Sequence, residues 1–174
     1  KSDEAMPFPL PCDEAGRLSL SAQERIMERL SACDACLIGP GLGLSPDLTK
    51  LIQDLIMQAK IPIVIDADGI NALSDNINIL RKAQLPPVLT PHDGEFKRLG
   101  CDLSHSDRLR AARAFAAEYR CILVLKGHRT ITALPDGRAY VNTTGNSGMA
   151  KGGSGDVLSG ILTALIGQGL PPET

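Results

Sequence analysis

Four short runs of this chain are apolar at nearly every position, and helical periodicities separate them. The runs are Cys36-Leu37-Ile38-Gly39, Ile61-Pro62-Ile63-Val64-Ile65, Pro87-Val88-Leu89-Thr90 and Cys121-Ile122-Leu123-Val124-Leu125. A strand with one wet face alternates apolar and polar residues, whereas a strand apolar throughout is buried on both faces. Between the runs, Ser45-Pro46 reads as an N-cap followed by proline at the first helical position, and Leu48, Leu51, Ile52, Leu55 and Ile56 recur at helical spacing. Ser106 to Tyr119 reads the same way, with Leu109, Ala112, Phe115, Ala116 and Tyr119 on one face. Ser21-Ala22-Gln23-Glu24 reads as a capping box ahead of Ile26, Met27 and Leu30. This alternation predicts an α/β fold with a mainly parallel sheet covered on both faces. Thr130 to Leu134 and Arg138 to Asn142 flank Pro135-Asp136-Gly137, which predicts an added β-hairpin. Asp156 to Gly167 is apolar nearly all round, which predicts a buried helix.

Composition narrows the function. The 174 residues fit one domain, and aromatics make up 3%, so the core rests on Ile, Leu, Val and Ala. A net charge of −2 offers no basic field for nucleic acid or an acidic membrane. No apolar run approaches the roughly 18 residues of a membrane span, and Lys1 to Ala5 do not lead into a signal peptide. Five cysteines, an odd number, argue against a fully paired disulfide framework. Cys33-Asp34-Ala35-Cys36 has no second pair for zinc and precedes a strand, so it reads as two ordinary thiols. Together these point to a cytoplasmic chain.

Each run ends in glycine or polar residues: Gly39-Pro40-Gly41-Leu42-Gly43, Asp66-Ala67-Asp68-Gly69, Thr90-Pro91-His92-Asp93-Gly94-Glu95 and Lys126-Gly127-His128. Ligands of open α/β sheets bind at the carboxyl ends of the strands, so these loops are expected to converge on one site. The glycine-rich stretch from Gly145 to Asp156 runs directly into the last helix. Free N–H groups and the positive dipole end at a helix start bind anions, so Gly152, Gly153, Ser154 and Gly155 are read as an anion-binding loop. It is not a Walker A loop, because Ala150 and Gly152 flank Lys151. Gly39, Gly41 and Gly43 lack the offsets of a dinucleotide fingerprint.

Asp156 reads either as a helix-dipole carboxylate or as a general base beside bound phosphate. Lys126 ends a strongly apolar strand, so its ammonium either snorkels to the edge or meets an anionic ligand. His92 reads as a hydrogen-bonded structural histidine or a ligand-edge residue, while His105 and His128 read as solvated. Glu95 either holds Mg²⁺ through water or favours the start of the next helix. Asp66 and Asp68 either bind substrate hydroxyls or cap the following turn.

Gly39-Pro40-Gly41-Leu42-Gly43, Asp66-Ala67-Asp68 with Asn71, Thr90-Pro91-His92 with Glu95, Lys126-Gly127 with Thr130, and Gly145-Asn146 through Gly153-Ser154-Gly155-Asp156 occur in that order. The ordered set resembles the ADP-dependent NAD(P)H-hydrate dehydratase family of the ribokinase-like superfamily. The resemblance implies a three-layer α/β/α fold and repair of the S epimer of hydrated NADH or NADPH. ADP would be co-substrate (ATP in eukaryotic members), with Mg²⁺. It implies that Gly43, His92 and Asp156 touch the hydrated cofactor, with Asp156 catalytic. Lys126, Gly127, His128, Arg129, Thr130 and Gly155 would hold the adenine nucleotide. It further implies a homo-oligomer and an epimerase domain, fused or separate.

Two departures from the family pattern stand out. Domains of this family are much longer, so the first strands and terminal helices are expected to be missing from a single, partial domain over residues 1–174. Lys151 and Ser154 also differ from many bacterial relatives. Two other readings remain at this point. One is a small-molecule kinase of the hydroxymethylpyrimidine or hydroxyethylthiazole type. His92 argues against it, because those kinases tend to carry asparagine there. The other is a non-catalytic nucleotide-binding module.

Overall fold

The structure is a computed structural model that describes residues 5–104 and 107–173. His105 and Ser106, and Lys1 to Glu4, lie outside the described residues. One six-stranded sheet runs in chain order: β1 (Cys36–Ile38), β2 (Ile63–Ile65), β3 (Val88–Leu89), β4 (Ile122–Leu125), β5 (Ile131–Ala133) and β6 (Ala139–Val141). The first four strands are parallel, and β4, β5 and β6 pair antiparallel, as the hairpin pattern predicts. The helices are α1 (Gln23–Leu30), α2 (Pro46–Gln58), α3 (Asp68–Asn71), α4 (Asp93–Arg98), α5 (Arg108–Tyr119) and α6 (Ser154–Gly167).

Local signals hold in detail at α2, where the Ser45 hydroxyl accepts the Leu48 N–H at 3.1 Å and Pro46 opens the helix. The capping box expected at Ser21 is displaced. Leu20–Ala22 form a 3₁₀ turn ahead of α1, so the first free N–H groups lie further upstream and Ser19 caps them by accepting from Ser21 N–H. The helix expected from Ser106 begins at Arg108, with the Asp107 side chain accepting from Leu109 N–H.

Strand register explains the two faces. Leu37, Val64, Val88 and Ile122 align across the four parallel strands, and so do Ile38, Ile65, Leu89 and Leu123. Successive residues of a strand face opposite ways. The second row packs with Leu51, Ile52, Phe96, Phe115 and Ala116 of α2, α4 and α5 in the main core. Phe115 meets Phe96 edge-on with ring centroids 5.1 Å apart. The first row packs with Leu158, Leu162 and Ile166 of α6.

The two faces are therefore covered unequally. Parallel strands in sequential order, joined by right-handed crossovers, send every connecting helix to the same face. Among the described helices only α6, after the hairpin, packs on the other. This corrects the expectation that α6 is buried. Leu158, Leu162 and Ile166 face the sheet, whereas Val157, Ile161 and Leu165 are 61, 52 and 40% exposed. Two apolar stripes at i, i+4, i+8 exist, and one of them has no protein above it among the described residues.

At the carboxyl end of β2, Ala67 has φ 48° and ψ −118°, a conformation suited to glycine. The turn is held because Asp66 accepts the Ala67 N–H at 2.9 Å. Ala67→Gly is expected to raise stability by about 1 kcal/mol, the relieved strain exceeding the added freedom of the unfolded chain. Denaturant unfolding checks this, and a lower midpoint would show that the turn holds no strain.

Candidate active site

The carboxyl edge of the sheet gathers its loops by close backbone approach. Ile38 C=O accepts the Asp66 N–H at 3.1 Å, and a Cβ on Gly39 would lie only 1.7 Å from the Asp66 carbonyl oxygen. Glycine is thus required where the β1 loop crosses the β2 loop. Four residues further on, Gly43 N–H donates to Asp68 at 2.8 Å, locking the two loops together. On the other side, Lys126 N–H donates to Pro91 C=O at 2.8 Å and a bridge joins His92 to Lys126, continuing the β3–β4 pairing into the loops.

Lys126 is the hub. Its Nζ lies 2.9 Å from Asp66 Oδ1 and 4.0 Å from Glu95 Oε2. The sequence offered snorkelling or an anionic ligand for Lys126, and the structure pairs it instead with the protein's own carboxylates. Asp66 is 1% exposed, and a carboxylate taken from water is tolerated only when paired. A Cβ on Gly155 would sit 3.3 Å from the same Nζ, so the first turn of α6 lies directly against Lys126. Lys126→Met is expected to destabilise the protein by about 3 kcal/mol, leaving Asp66 as an uncompensated buried charge. Adding Asp66→Asn should restore most of that loss. A wild-type denaturation midpoint for Lys126→Met would show that Asp66 needs no partner.

His92 caps α4. Its Nδ1 accepts from the N–H of Gly94 at 3.0 Å and of Glu95 at 3.2 Å, while Glu95 Oε2 accepts the His92 N–H at 2.8 Å. Because Nδ1 is an acceptor, the neutral ring carries its proton on Nε2 and offers a donor from a half-exposed side chain. Glu95, which is buried, thus shares the capping box. Among the described residues no group of three His, Cys, Asp or Glu side chains is placed to hold a metal ion.

The glycine-rich loop leads directly into α6. Gly153, at φ 86°, is the N-cap of α6 without a side-chain cap, and Asp156 is exposed in the first turn. The helix therefore starts two residues earlier than Asp156. Among the described residues, no protein acceptor meets the N–H groups of Gly155 or Asp156. The uncapped helix start, the ammonium of Lys126 and the Asp156 carboxylate form one constellation. An anionic group can be held by the first two while the third takes a proton beside it.

The segment Lys126 to Thr130 borders this edge. Gly127 has φ 152° and Arg129 φ 58°, and the Thr130 hydroxyl donates to Gly127 C=O at 3.2 Å. Arg108, which the sequence reading passed over, donates to Asp93, Lys126 C=O and His128 C=O. Its signal was a cation at a helix N-terminus, where the dipole disfavours it. An open depression beside the hairpin turn, lined by Arg113, Asp136 and Tyr140, shares no residue with this site.

The thiols stand apart from the chemistry. All five cysteines are free. Burial pushes the Cys36 thiol up to about 11 and the Cys121 thiol up to about 12, so neither supplies a thiolate at neutral pH.

A family model described as NAD(P)H-hydrate dehydratase matches residues 2–174. The chain belongs to the NAD(P)H-hydrate dehydratase family. It is 46% identical, over 99% of its length, to the bifunctional NAD(P)H-hydrate repair enzyme Nnr of Moorella thermoacetica, and it spans 33% of that relative. Among solved structures, a ribokinase-like superfamily protein of Enterococcus faecalis superposes with a TM-score of 0.71 at 28% identity, over 86% of this chain and 52% of that one. The ADP/ATP-dependent NAD(P)H-hydrate dehydratase of Bacillus subtilis, co-crystallised with ATP/Mg²⁺ and soaked with CoA, gives 0.66 at 28% identity, over 88% and 56%. The fold is ribokinase-like, with residues of this dehydratase-family chain forming a six-stranded, mostly parallel sheet. Among the described residues no helix is long and apolar enough to cross a membrane.

Proposed function

We propose that this chain takes part in ADP-dependent dehydration of the S epimer of hydrated NADH or NADPH, restoring the reduced cofactor. The carrying observation is the juxtaposition of Lys126 Nζ with Gly155 at the uncapped start of α6, beside the exposed carboxylate of Asp156. Hydroxide is a poor leaving group. Asp156 accepts the proton of the C6 hydroxyl as that oxygen attacks the β-phosphorus of ADP. The P–O bond to AMP breaks, and the N–H groups of Gly152, Gly153 and Gly155 stabilise charge on the phosphoryl group in flight, that of Ser154 being bonded to Lys151 C=O. The ring nitrogen's lone pair then expels phosphate from C6, and the C5 proton passes to water, restoring the C5–C6 double bond.

Gly43 and His92 are assigned to the hydrated cofactor, His92 as a donor through Nε2–H. Lys126, Gly127, His128, Arg129, Thr130 and Gly155 are assigned to the adenine nucleotide. Mg²⁺ fits as a companion of the nucleotide: it keeps several waters and takes few protein ligands, and Glu95 is assigned to it only through water. When bound, it neutralises phosphate charge. The solved Bacillus subtilis dehydratase, co-crystallised with ATP/Mg²⁺, supports both ligands.

Residues 1–174 are read as part of one such domain, whose remainder covers Val157, Ile161 and Leu165 of α6. The name of the Moorella relative, a bifunctional enzyme, supports an epimerase activity, fused or separate, that supplies the S epimer. Cytoplasmic residence and homo-oligomerisation complete the reading. The test is loss of S-hydrated NADH, followed by the recovery of absorbance of NADH, with ADP, ATP or neither. Turnover dependent on ADP supports the proposal. A phosphorylated alcohol that accumulates without hydrate repair would instead make the chain a small-molecule kinase.

A further inference from the structure

Arg108 is the first residue of α5, yet its guanidinium is spent on groups outside its own helix. Nη2 donates to Asp93 Oδ1 at 2.8 Å and to Lys126 C=O at 3.1 Å, Nε donates to the same carboxylate oxygen at 3.2 Å, and Nη1 donates to His128 C=O at 3.3 Å. One planar fork therefore holds the two carbonyls on either side of Gly127 and the residue that follows His92. The packing is close: a Cβ on Gly127 would lie 2.8 Å from Nη2. Asp93 is the first residue of α4, so the carboxylate also serves the N-terminus of that helix.

We propose that Arg108 is a positioning residue that fixes the Lys126–Thr130 segment against the His92 cap, and so sets the affinity of the nucleotide subsite. This rests on the assignment of that segment to an adenine nucleotide. Apart from the fork, the segment is held at its two ends, where Lys126 N–H donates to Pro91 C=O at 2.8 Å and Asn142 N–H donates to Thr130 C=O at 2.9 Å, and the residues between have little else. Gly127 and Arg129 both take positive φ, and Thr130 contributes one hydroxyl bond within the loop. A carbonyl facing a fixed guanidinium cannot rotate its peptide plane, so the adjacent N–H groups keep one direction. Without the fork, the loop is free to sample other peptide orientations, and a ligand must then order it on binding. Arginine is suited to this task because its donors are held in a rigid plane. Lysine can reach two acceptors but imposes no plane.

The test is titration of ADP into the unsubstituted protein and three variants by calorimetry, alongside thermal unfolding of each. Arg108→Met is expected to weaken ADP binding about tenfold, and Arg108→Lys to recover part of that loss. Arg81→Met removes another exposed ion pair of α5, that with Glu118 at 2.9 Å, and should leave ADP affinity unchanged. Thermal midpoints separate loss of position from loss of fold. Wild-type affinity in a folded Arg108→Met, or equal weakening by Arg81→Met, would overturn the role of Arg108. If Arg108→Met fails to fold, weakening in a folded Arg108→Lys supports the role and unchanged affinity there overturns it. Failure of the unsubstituted protein to bind ADP would overturn the nucleotide assignment itself, and the role of Arg108 with it.

Discussion

Alanine in place of Gly39 is expected to abolish cooperative folding, or to lower stability by more than about 4 kcal/mol. Two independent penalties coincide at this residue. Its φ of 132° lies where a side chain is strained, and the new Cβ would stand 1.7 Å from the backbone oxygen of Asp66. That oxygen cannot swing aside, because the Asp66 N–H is bonded to Ile38 C=O and its side chain to Lys126. The β1 and β2 ends would have to separate, opening the sheet beneath the proposed site. Gly41→Ala is the control: φ is 70° but nothing lies within 4 Å of its Cβ, so only about 1 kcal/mol is expected. Circular dichroism through a denaturant series reads both. Similar midpoints for the two variants would show that the contact at Gly39 is relieved by a small backbone shift.

Asp156→Asn is expected to lower the proposed hydrate repair by roughly a thousandfold while leaving the thermal midpoint nearly unchanged. The carboxylate is exposed in the first turn of α6, so little packing depends on it. Its favourable interaction with the helix dipole is worth no more than about 1 kcal/mol. Asparagine keeps the shape and can still accept a hydrogen bond, but it does not take up a proton. Hydrate consumption with ADP and Mg²⁺ gives the rate, and ADP calorimetry separates chemistry from binding. Activity within tenfold of the parent would reduce Asp156 to a helix-dipole carboxylate.

Asp156 was visible as a candidate in the sequence, as a carboxylate at a glycine-rich helix start that reads either as a general base beside phosphate or as a helix-dipole partner. Gly39 was visible only as one glycine among several. What singles it out is the path of a second loop, which sequence spacing does not encode. The same contrast holds for Lys126. Its oddity was legible, an ammonium closing an apolar strand. Its partner Asp66 is sixty residues away and comes into reach only because β2 and β4 flank β3 in the same sheet.

Helix α6 marks the other limit. Its composition alone pointed to burial, since hydrophobicity all round a helix ordinarily means protein all round it. Composition states what a surface prefers and does not state what is there to cover it. The sequential strand order sends α2, α4 and α5 to one face, so among the described helices α6 meets the other alone, and no described residue covers Val157, Ile161 and Leu165.

Sequence by itself determined the elements with local causes: apolar strands, the Ser45-Pro46 helix start, the hairpin at Asp136-Gly137 and a glycine-rich helix start before Asp156. These follow from backbone sterics, side-chain periodicity and capping, which act over a few residues. Only the tertiary structure decided the Asp66–Lys126 pair, the crossing at Gly39, the guanidinium of Arg108 between two loops and the half-covered state of α6. Those depend on which strands become neighbours and on the hand of the crossovers, and both are fixed by packing across the whole sheet.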